Sequence, residues 1–299
     1  MRGITSQRVK AKSPFLHAPY APARLTTFWR SSPNYSPKEK EVDVEPWSLS
    51  DDTHRVAVAA DWRARSDPRG TLAAIADLGI SRLHLVGDIA LPTGYLDRLD
   101  ETAGLVDLRI SITPGPSAIW PAEFGTPTRP GRASPFYLRP NVAWLTCGHR
   151  WTHSGCAFLS CGNSEPGRDF PHLRSGWWDT CDPAQVEVAR VLGGGHADVI
   201  LAMDSPFPGT PAVDSLRNFT GSRACADGSP LEGLQNAGVT DLWEELDPDL
   251  LLHGHWGVKG QRAFQFGQRV ISLAGEGSPG NVAVVDLPTV TARWMEDLQ

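Results

Sequence analysis

The residues best suited to chemistry in this chain stand where apolar runs end. Leu251–Gly257 (LLHGHWG) carries one such run into a glycine-flanked cluster, His253-Gly254-His255-Trp256-Gly257. That is the pattern of a strand stopping at a sheet's C-terminal edge, where side chains turn towards a ligand crevice. Two imidazoles two residues apart can both ligate a metal if the backbone turns sharply, and glycines permit such a turn. The plainer reading is a solvated loop after a strand. Acids at other strand ends bear on the choice: Asp61 follows RVAVAA, Asp88 follows RLHLVG, Gly115-Pro116-Ser117 follow LRISITP, and Met203-Asp204 follow ADVILA. In a parallel-rich sheet all five ends can face one crevice, and two carboxylates with an imidazole suit a hard or borderline cation.

The elements that must position these residues read as an α/β domain. Arg55–Ala60, Arg82–Val86 and Leu108–Thr113 are short apolar strands, separated by helical spacing over Pro68–Leu78 and Leu96–Leu105. Proline opens the first helix and Gly79 fits its C-cap. This β-α-β-α-β order with short connections predicts neighbouring parallel strands covered by helices. Glu123–Arg139 reads as a Pro/Gly-rich surface loop. Asn141–Thr146 and Cys156–Ser160 read as a hairpin around a Gly148–Gly155 turn, and residues 161–181 as an irregular loop. Asp182 is expected to cap a helix ending near Leu192, and Ala197–Ala202 is a buried strand. A long loop to about Ser229, helices near Pro230–Asn236 and Asp241–Glu245, and the LLHGH strand follow. Arg269–Leu273, Gly280–Asp286 and Thr289–Trp294 read as closing antiparallel strands.

Residues 1–52 differ in kind: rich in Pro, Ser and basic residues, with Glu39 as the first acid. They read as a flexible extension ahead of a domain at 53–299, with a transit peptide or an upstream start codon as alternatives. The 299 residues otherwise have average globular composition. No apolar run approaches the roughly 20 residues that span a bilayer, and residues 1–30 contain no apolar core of a secretory signal. The net charge of -6 gives no support to a nucleic-acid surface, so neither membrane nor nucleic acid is expected as a partner. Five cysteines without CxxC spacing suggest reduced thiols in a cytoplasm.

Taken in order, these motifs resemble the calcineurin-like metallophosphoesterases. Their pattern reads D-x-H, G-D, G-N-H-[DE], a lone His after a strand, and G-H-x-H. The resemblance runs from Arg55 to Leu298. GHRW (Gly148–Trp151), SCGN (Ser160–Asn163), the Trp177–Asp179 stretch and VILAMDSP (Val199–Pro206) are similar to the middle of small bacterial and phage members. The resemblance implies an α/β sandwich of two mixed sheets flanked by helices. It also implies a two-metal hydrolase site, and there the chain departs from the pattern. Asp61, Asp88 and His255 keep family positions. Arg63, Pro116, Ser117, Met203 and Gly257 stand where the family places a His, an Asn ligand, a catalytic His, a further His and a last His.

Each metal would then keep two protein ligands, where catalytic divalent sites usually offer about three plus solvent. Met203 is no substitute, because a thioether is a poor ligand for hard cations. Asp204 and His253 are accessory candidates, although Asp204 also suits a cap on the Ser205-Pro206 turn and His253 a packed strand face. Strand alternation points Arg63 the same way as Asp61, so its guanidinium can neutralise Asp61 or Asp88 where a metal would stand. The alternative is a solvent-facing arginine. The expectation is therefore a degenerate member, an impaired or inactive hydrolase with no resident cofactor, acting by binding a phosphate-bearing small molecule or a protein. One alternative is a phosphoesterase with an altered or single-metal site holding Mn, Fe or Zn. Another is a structural partner of an intact homologue.

Overall fold

In the computed structural model the described residues are 53–115, 118–119, 121–124, 135–145, 147–162, 185–221 and 237–298. The chain divides into two units, Met1–Trp47 and Ser48–Gln299, and all described residues fall in the second. The N-terminal extension, Pro116, Ser117, Asn163, the Trp177–Asp179 stretch, Asp182 and the expected helix at Pro230–Asn236 lie outside them.

The opening run folds as its periodicity predicts. Strands β1 (Arg55–Ala60), β2 (Arg82–Gly87) and β3 (Arg109–Pro114) alternate with helices α1 (Pro68–Asp77) and α2 (Thr93–Leu105). Pro68 opens α1 behind the Asp67 cap, whose side chain accepts from the Arg69 N–H, and Gly79 follows at φ +71. The three strands are parallel, with Ala59 opposite Leu85 and Ile112 opposite Leu85. Their sheet continues through β5 (Val142–Trp144) to the edge strand β4 (Phe136–Arg139), and through β12 (Val282–Asp286) to β13 (Thr291–Trp294) on the other side.

A second sheet runs in the order β10 (Gly260–Ala263), β11 (Arg269–Ser272), β9 (Leu250–His253), β8 (Val199–Ala202), β7 (Cys156–Cys161), β6 (Arg150–His153). Both sheets mix parallel and antiparallel pairs. Val56, Val58, Phe158, Leu201, Leu252 and Val285 fill the space between them. Helices α1 and α2 bury Leu72, Ile75, Leu96 and Leu99 against the outer face of the first sheet. The second is covered by α3 (Gln185–Leu192) and α5 (Ala237–Leu246), with Val188, Val191, Leu242 and Trp243 in its core. The fold is thus an α/β sandwich of two mixed sheets flanked by helices.

Four sequence expectations are corrected. The hairpin is β6–β7, turning at Ser154-Gly155, while β5 belongs to the other sheet and runs parallel to β3. The Glu123–Arg139 loop ends in strand β4, which meets β5 edge to edge. The long loop before Ser229 contains helix α4 (Pro211–Gly221). Finally, β11 pairs antiparallel with β10 as expected but runs parallel to β9 on its other side, while β12 and β13 close antiparallel throughout.

Among the buried polar residues between the sheets, His84 is titratable. The His84 ring on β2 lies 5.3 Å from Trp151 and 5.6 Å from Phe158. Its Nδ1 pairs with Ser111 Oγ, and its Nε2 has no hydrogen-bond partner among the described residues. Burial pushes its pKa down to about 3. The folded state therefore holds it neutral, while the unfolded chain takes up a proton below about pH 6.5. The stability this residue contributes is complete above that pH and is lost as pH falls towards 3, at about 1.4 kcal/mol per pH unit. We expect His84→Gln to flatten the loss of stability between pH 6 and pH 4, as read by urea unfolding at stepped pH.

Candidate functional site

The carboxyl edges of both sheets meet at Asp61. This residue leaves β1 in a left-handed conformation, φ +54, and is 8 % exposed. Its Oδ1 accepts from the backbone N–H of Asp88 at 2.7 Å and from that of His255 at 2.8 Å. One oxygen thus ties the end of β2, in the first sheet, to the end of β9, in the second. The approach requires glycine. A Cβ on Gly87, at φ +88, would stand 2.3 Å from Asp61 Oδ1, and one on Gly254 would stand 2.7 Å from it. Burial pushes the Asp61 carboxyl up to about 6, against the two backbone N–H groups that act to lower it.

Asp88, 3 % exposed, carries the charge chemistry. Its Oδ2 accepts from Arg63 Nη2 at 2.7 Å and meets His255 Nδ1 at 3.0 Å. Arg63 Nε also reaches the Asp88 carbonyl at 3.3 Å. Of the two partners expected for Arg63, the structure selects Asp88. His255 stands at φ +72. Its burial acts to lower the imidazole pKa, but the hydrogen bond to Asp88 and the nearby Asp204, Asp88 and Asp61 charges outweigh that, and the net shift is upward.

The remaining candidates stand apart from this centre. Met203 is buried with Cys161, Ala202 and Val239 in the core behind the second sheet. Asp204 Oδ1 accepts from the Ser205 N–H and from Trp256 Nε1, both at 2.6 Å, which is the turn-capping role. His253 is fully buried, with Nδ1 2.9 Å from the Gly254 carbonyl. Burial pushes its pKa down to about 4. Gly257 lies at φ +64 with open space where a side chain would project.

A metal pair does not fit these residues. Asp88 Oδ2 already serves a guanidinium and an imidazole, His255 Nδ1 faces that oxygen, and Asp61 Oδ1 faces two backbone N–H groups. No group of three or more His, Cys, Asp or Glu among the described residues could hold a metal ion.

Two parts of the site had no motif to announce them. Arg217, on α4, donates to the Ser205 and Pro206 carbonyls and lies 5.2 Å over the Trp256 ring. Together with Asp204 it pins the loop after β8 to the loop after β9. Glu276, from the turn between β11 and β12, accepts from the backbone N–H of Arg63 at 2.8 Å and of Arg65 at 3.0 Å. The only sequence signal for it is an acid between Gly275 and Gly277.

Comparison with protein-family models and with curated proteins finds no match. Solved structures do align. GAP50, the anchor in the inner membrane complex of Plasmodium, is 12 % identical at a TM-score of 0.42, over 77 % of this chain and 79 % of that one. A dimetal phosphatase from Danio rerio is 13 % identical at 0.42, over 78 % and 92 %. Zinc-complexed Vps29 from Entamoeba histolytica is 8 % identical at 0.31, over 80 % and 96 %.

Three outcomes are expected. Gly87→Ala should cost about 3 kcal/mol, since it clashes with backbone and strains a left-handed residue. Gly70→Ala, in α1 with nothing near its Cβ, should gain about 0.5–1 kcal/mol; both are read by denaturant unfolding. In a double-mutant cycle, Arg63→Met and Asp88→Asn should couple by about 1–2 kcal/mol, because one partner is buried and the other half-exposed.

Proposed function

We propose that this protein is metallophosphoesterase-like, has an internal cation in place of metals, and acts by binding rather than by two-metal phosphoester hydrolysis. The observation that carries the reading is the Arg63 guanidinium on Asp88, sharing Oδ2 with His255. Two buried carboxylates side by side repel and need a counter-charge. A pair of divalent ions would supply it in the family the sequence resembles. Here Arg63 and the upshifted His255 do so. A two-metal hydrolase must present open coordination positions and a metal-bound hydroxide; here Asp88 Oδ2 and His255 Nδ1 face each other and Asp61 Oδ1 faces two backbone N–H groups. Ser117, at the catalytic-His position, carries a hydroxyl that does not titrate near neutral pH.

The alternative, a phosphoesterase with one metal held by Asp204 or His253, has less support. Asp204 Oδ1 is committed to Ser205 and Trp256, and His253 is fully buried. The occupant of the site, in our reading, is a phosphate-bearing small molecule or a protein, and an assembly with an intact homologue is a further form of the same idea. The thiol pattern supports a cytoplasmic setting. Separately, no helix among the described residues is long and apolar enough to cross a membrane.

The test is metal analysis of the purified full chain, paired with aryl phosphomonoesters and phosphodiesters assayed with added manganese. We expect metal well below one equivalent and no turnover above the buffer blank. Stoichiometric manganese, iron or zinc removable by chelator, or turnover abolished by Asp88→Asn, would overturn the proposal.

A further inference from the structure

The segment that delivers Arg63 to Asp88 also forms a concave backbone cradle, and the cradle already holds an anion. Between β1 and α1 the chain passes through Ala64 at φ +58. This left-handed residue turns the backbone N–H groups of Arg63, Arg65 and Ser66 towards one point. Glu276 fills it. Its Oε2 accepts from the Arg63 N–H at 2.8 Å and the Arg65 N–H at 3.0 Å. Its Oε1 accepts from the Ser66 N–H at 3.0 Å and the Ser66 hydroxyl at 2.7 Å, with the Tyr95 hydroxyl at 3.4 Å. Successive N–H groups converging around a left-handed residue are a recurrent way to bind phosphate. The two oxygens of a carboxylate are spaced much like two oxygens of a phosphate.

We propose that residues 63–66 form an oxyanion site, selective for a phosphate group, that Glu276 keeps closed as a built-in carboxylate plug. The surroundings fit that ligand. Arg63 and Arg65 are exposed beside the cradle, and Tyr95 offers a further hydroxyl donor from α2. They also fit a removable plug. Glu276 stands between Gly275 and Gly277, and neither glycine has any atom within 4 Å of where a Cβ would project. The carboxylate is therefore carried on a turn with room to swing outward. The turn is closed behind it by the Ser278 N–H on the Gly275 carbonyl, and Asn281 fixes the far end of the same loop by donating to the Ala60 and Ala274 carbonyls. An entering phosphate would take the same five donors and gain the Arg65 side chain. It would sit one residue from the guanidinium that neutralises Asp88, so its binding and the Arg63–Asp88 pair are joined through one loop. The inference deepens the binding reading above by naming the ligand's charged group, but the cradle stands whether or not a metal binds at Asp88.

The test compares the full-length wild type with Glu276→Ala, Glu276→Gln and Glu276→Ala/Ser66→Ala. Thermal unfolding is followed in inorganic phosphate, in glycerol phosphate and in sodium chloride of equal ionic strength. With the plug removed, phosphate at about ten times its Kd should raise the melting temperature of Glu276→Ala by roughly 3 °C or more over the chloride control. Wild type should shift by less than a third of that, and the Ser66→Ala double variant should lose at least half of the gain. Equal response to the two phosphates assigns the site to the phosphate group alone, and a larger response to glycerol phosphate assigns it to a phosphoryl group on an organic carrier. If Glu276→Ala does not fold, Glu276→Gln, whose neutral amide keeps one acceptor but sets an NH2 against the cradle's donors, weakens the plug and should still respond more than wild type. A folded variant that responds no more than wild type overturns the inference, as does an identical shift in wild type. Metal content of the same preparations is measured separately, so failure of the binding reading at Asp88 is told apart from failure at the cradle.

Discussion

One carboxylate oxygen joins the carboxyl edges of the two sheets. Asp61 Oδ1 receives the N–H groups of Asp88 and His255, and these begin the turns that leave β2 and β9. Each N–H lies at a strand end where the ladder has stopped, so each would be a buried donor without a partner if that oxygen were lost. The glycines follow from this contact. Gly87 and Gly254 are small because the carboxylate and the opposing backbone occupy the space of a side chain. The geometry of Asp88 and His255 is a consequence of it, since both side chains project from residues whose backbones Asp61 holds.

The electrostatics follow the same hierarchy. Asp61 is so buried that its carboxyl titrates near 6, and its charge is met by backbone dipoles. Asp88 is met by a guanidinium and an imidazole. A guanidinium is a planar, delocalised cation that satisfies a carboxylate by directed hydrogen bonds; a metal ion concentrates charge at a point and polarises bound water. Both relieve carboxylate repulsion, but only the second produces a nucleophile. In this structure the charge of Asp88 is balanced by the first kind of partner. Glu276 extends the pattern outward, fixing the backbone from which Arg63 reaches.

The sequence made the first half of the fold legible because its signals are local and redundant. In β1, β2 and β3 every residue past the first is buried, so apolar residues dominate the runs despite His84, Ser111 and Thr113, and α1 carries both a capping Asp and a proline start. Strand β10 (GQRA) offers no such signal, because its residues alternate between half-buried and exposed and none is a large apolar. Helix α4 was obscured by Pro206, Pro208 and Gly209 before it, although Thr210-Pro211 is a readable cap, with the Thr210 hydroxyl accepting from the Val213 N–H. The β5–β6 boundary was invisible for a different reason: the chain changes sheets within a few residues, which is a tertiary event with no periodicity of its own. In the site, Asp61, Asp88 and His255 could be collected from strand ends, and Arg63 from its spacing to Asp61. Glu276 and Arg217 could not, since they come from a turn and a helix more than a hundred residues from Asp61 and join it only in space.

Gly257 limits which residues the turn after β9 can accept. Its backbone stands at φ +64 with vacant space around the missing side chain. A Cβ there would meet nothing within 4 Å but would hold a left-handed conformation that costs an L-residue about 1–2 kcal/mol. Asp61 and His255 already occupy such conformations, and each is held there by hydrogen bonds of its own. Any side chain at 257 would need comparable compensation from new hydrogen bonds of its own. The glycine thus spares the turn after β9 a conformational cost that Asp61 and His255 meet with partners.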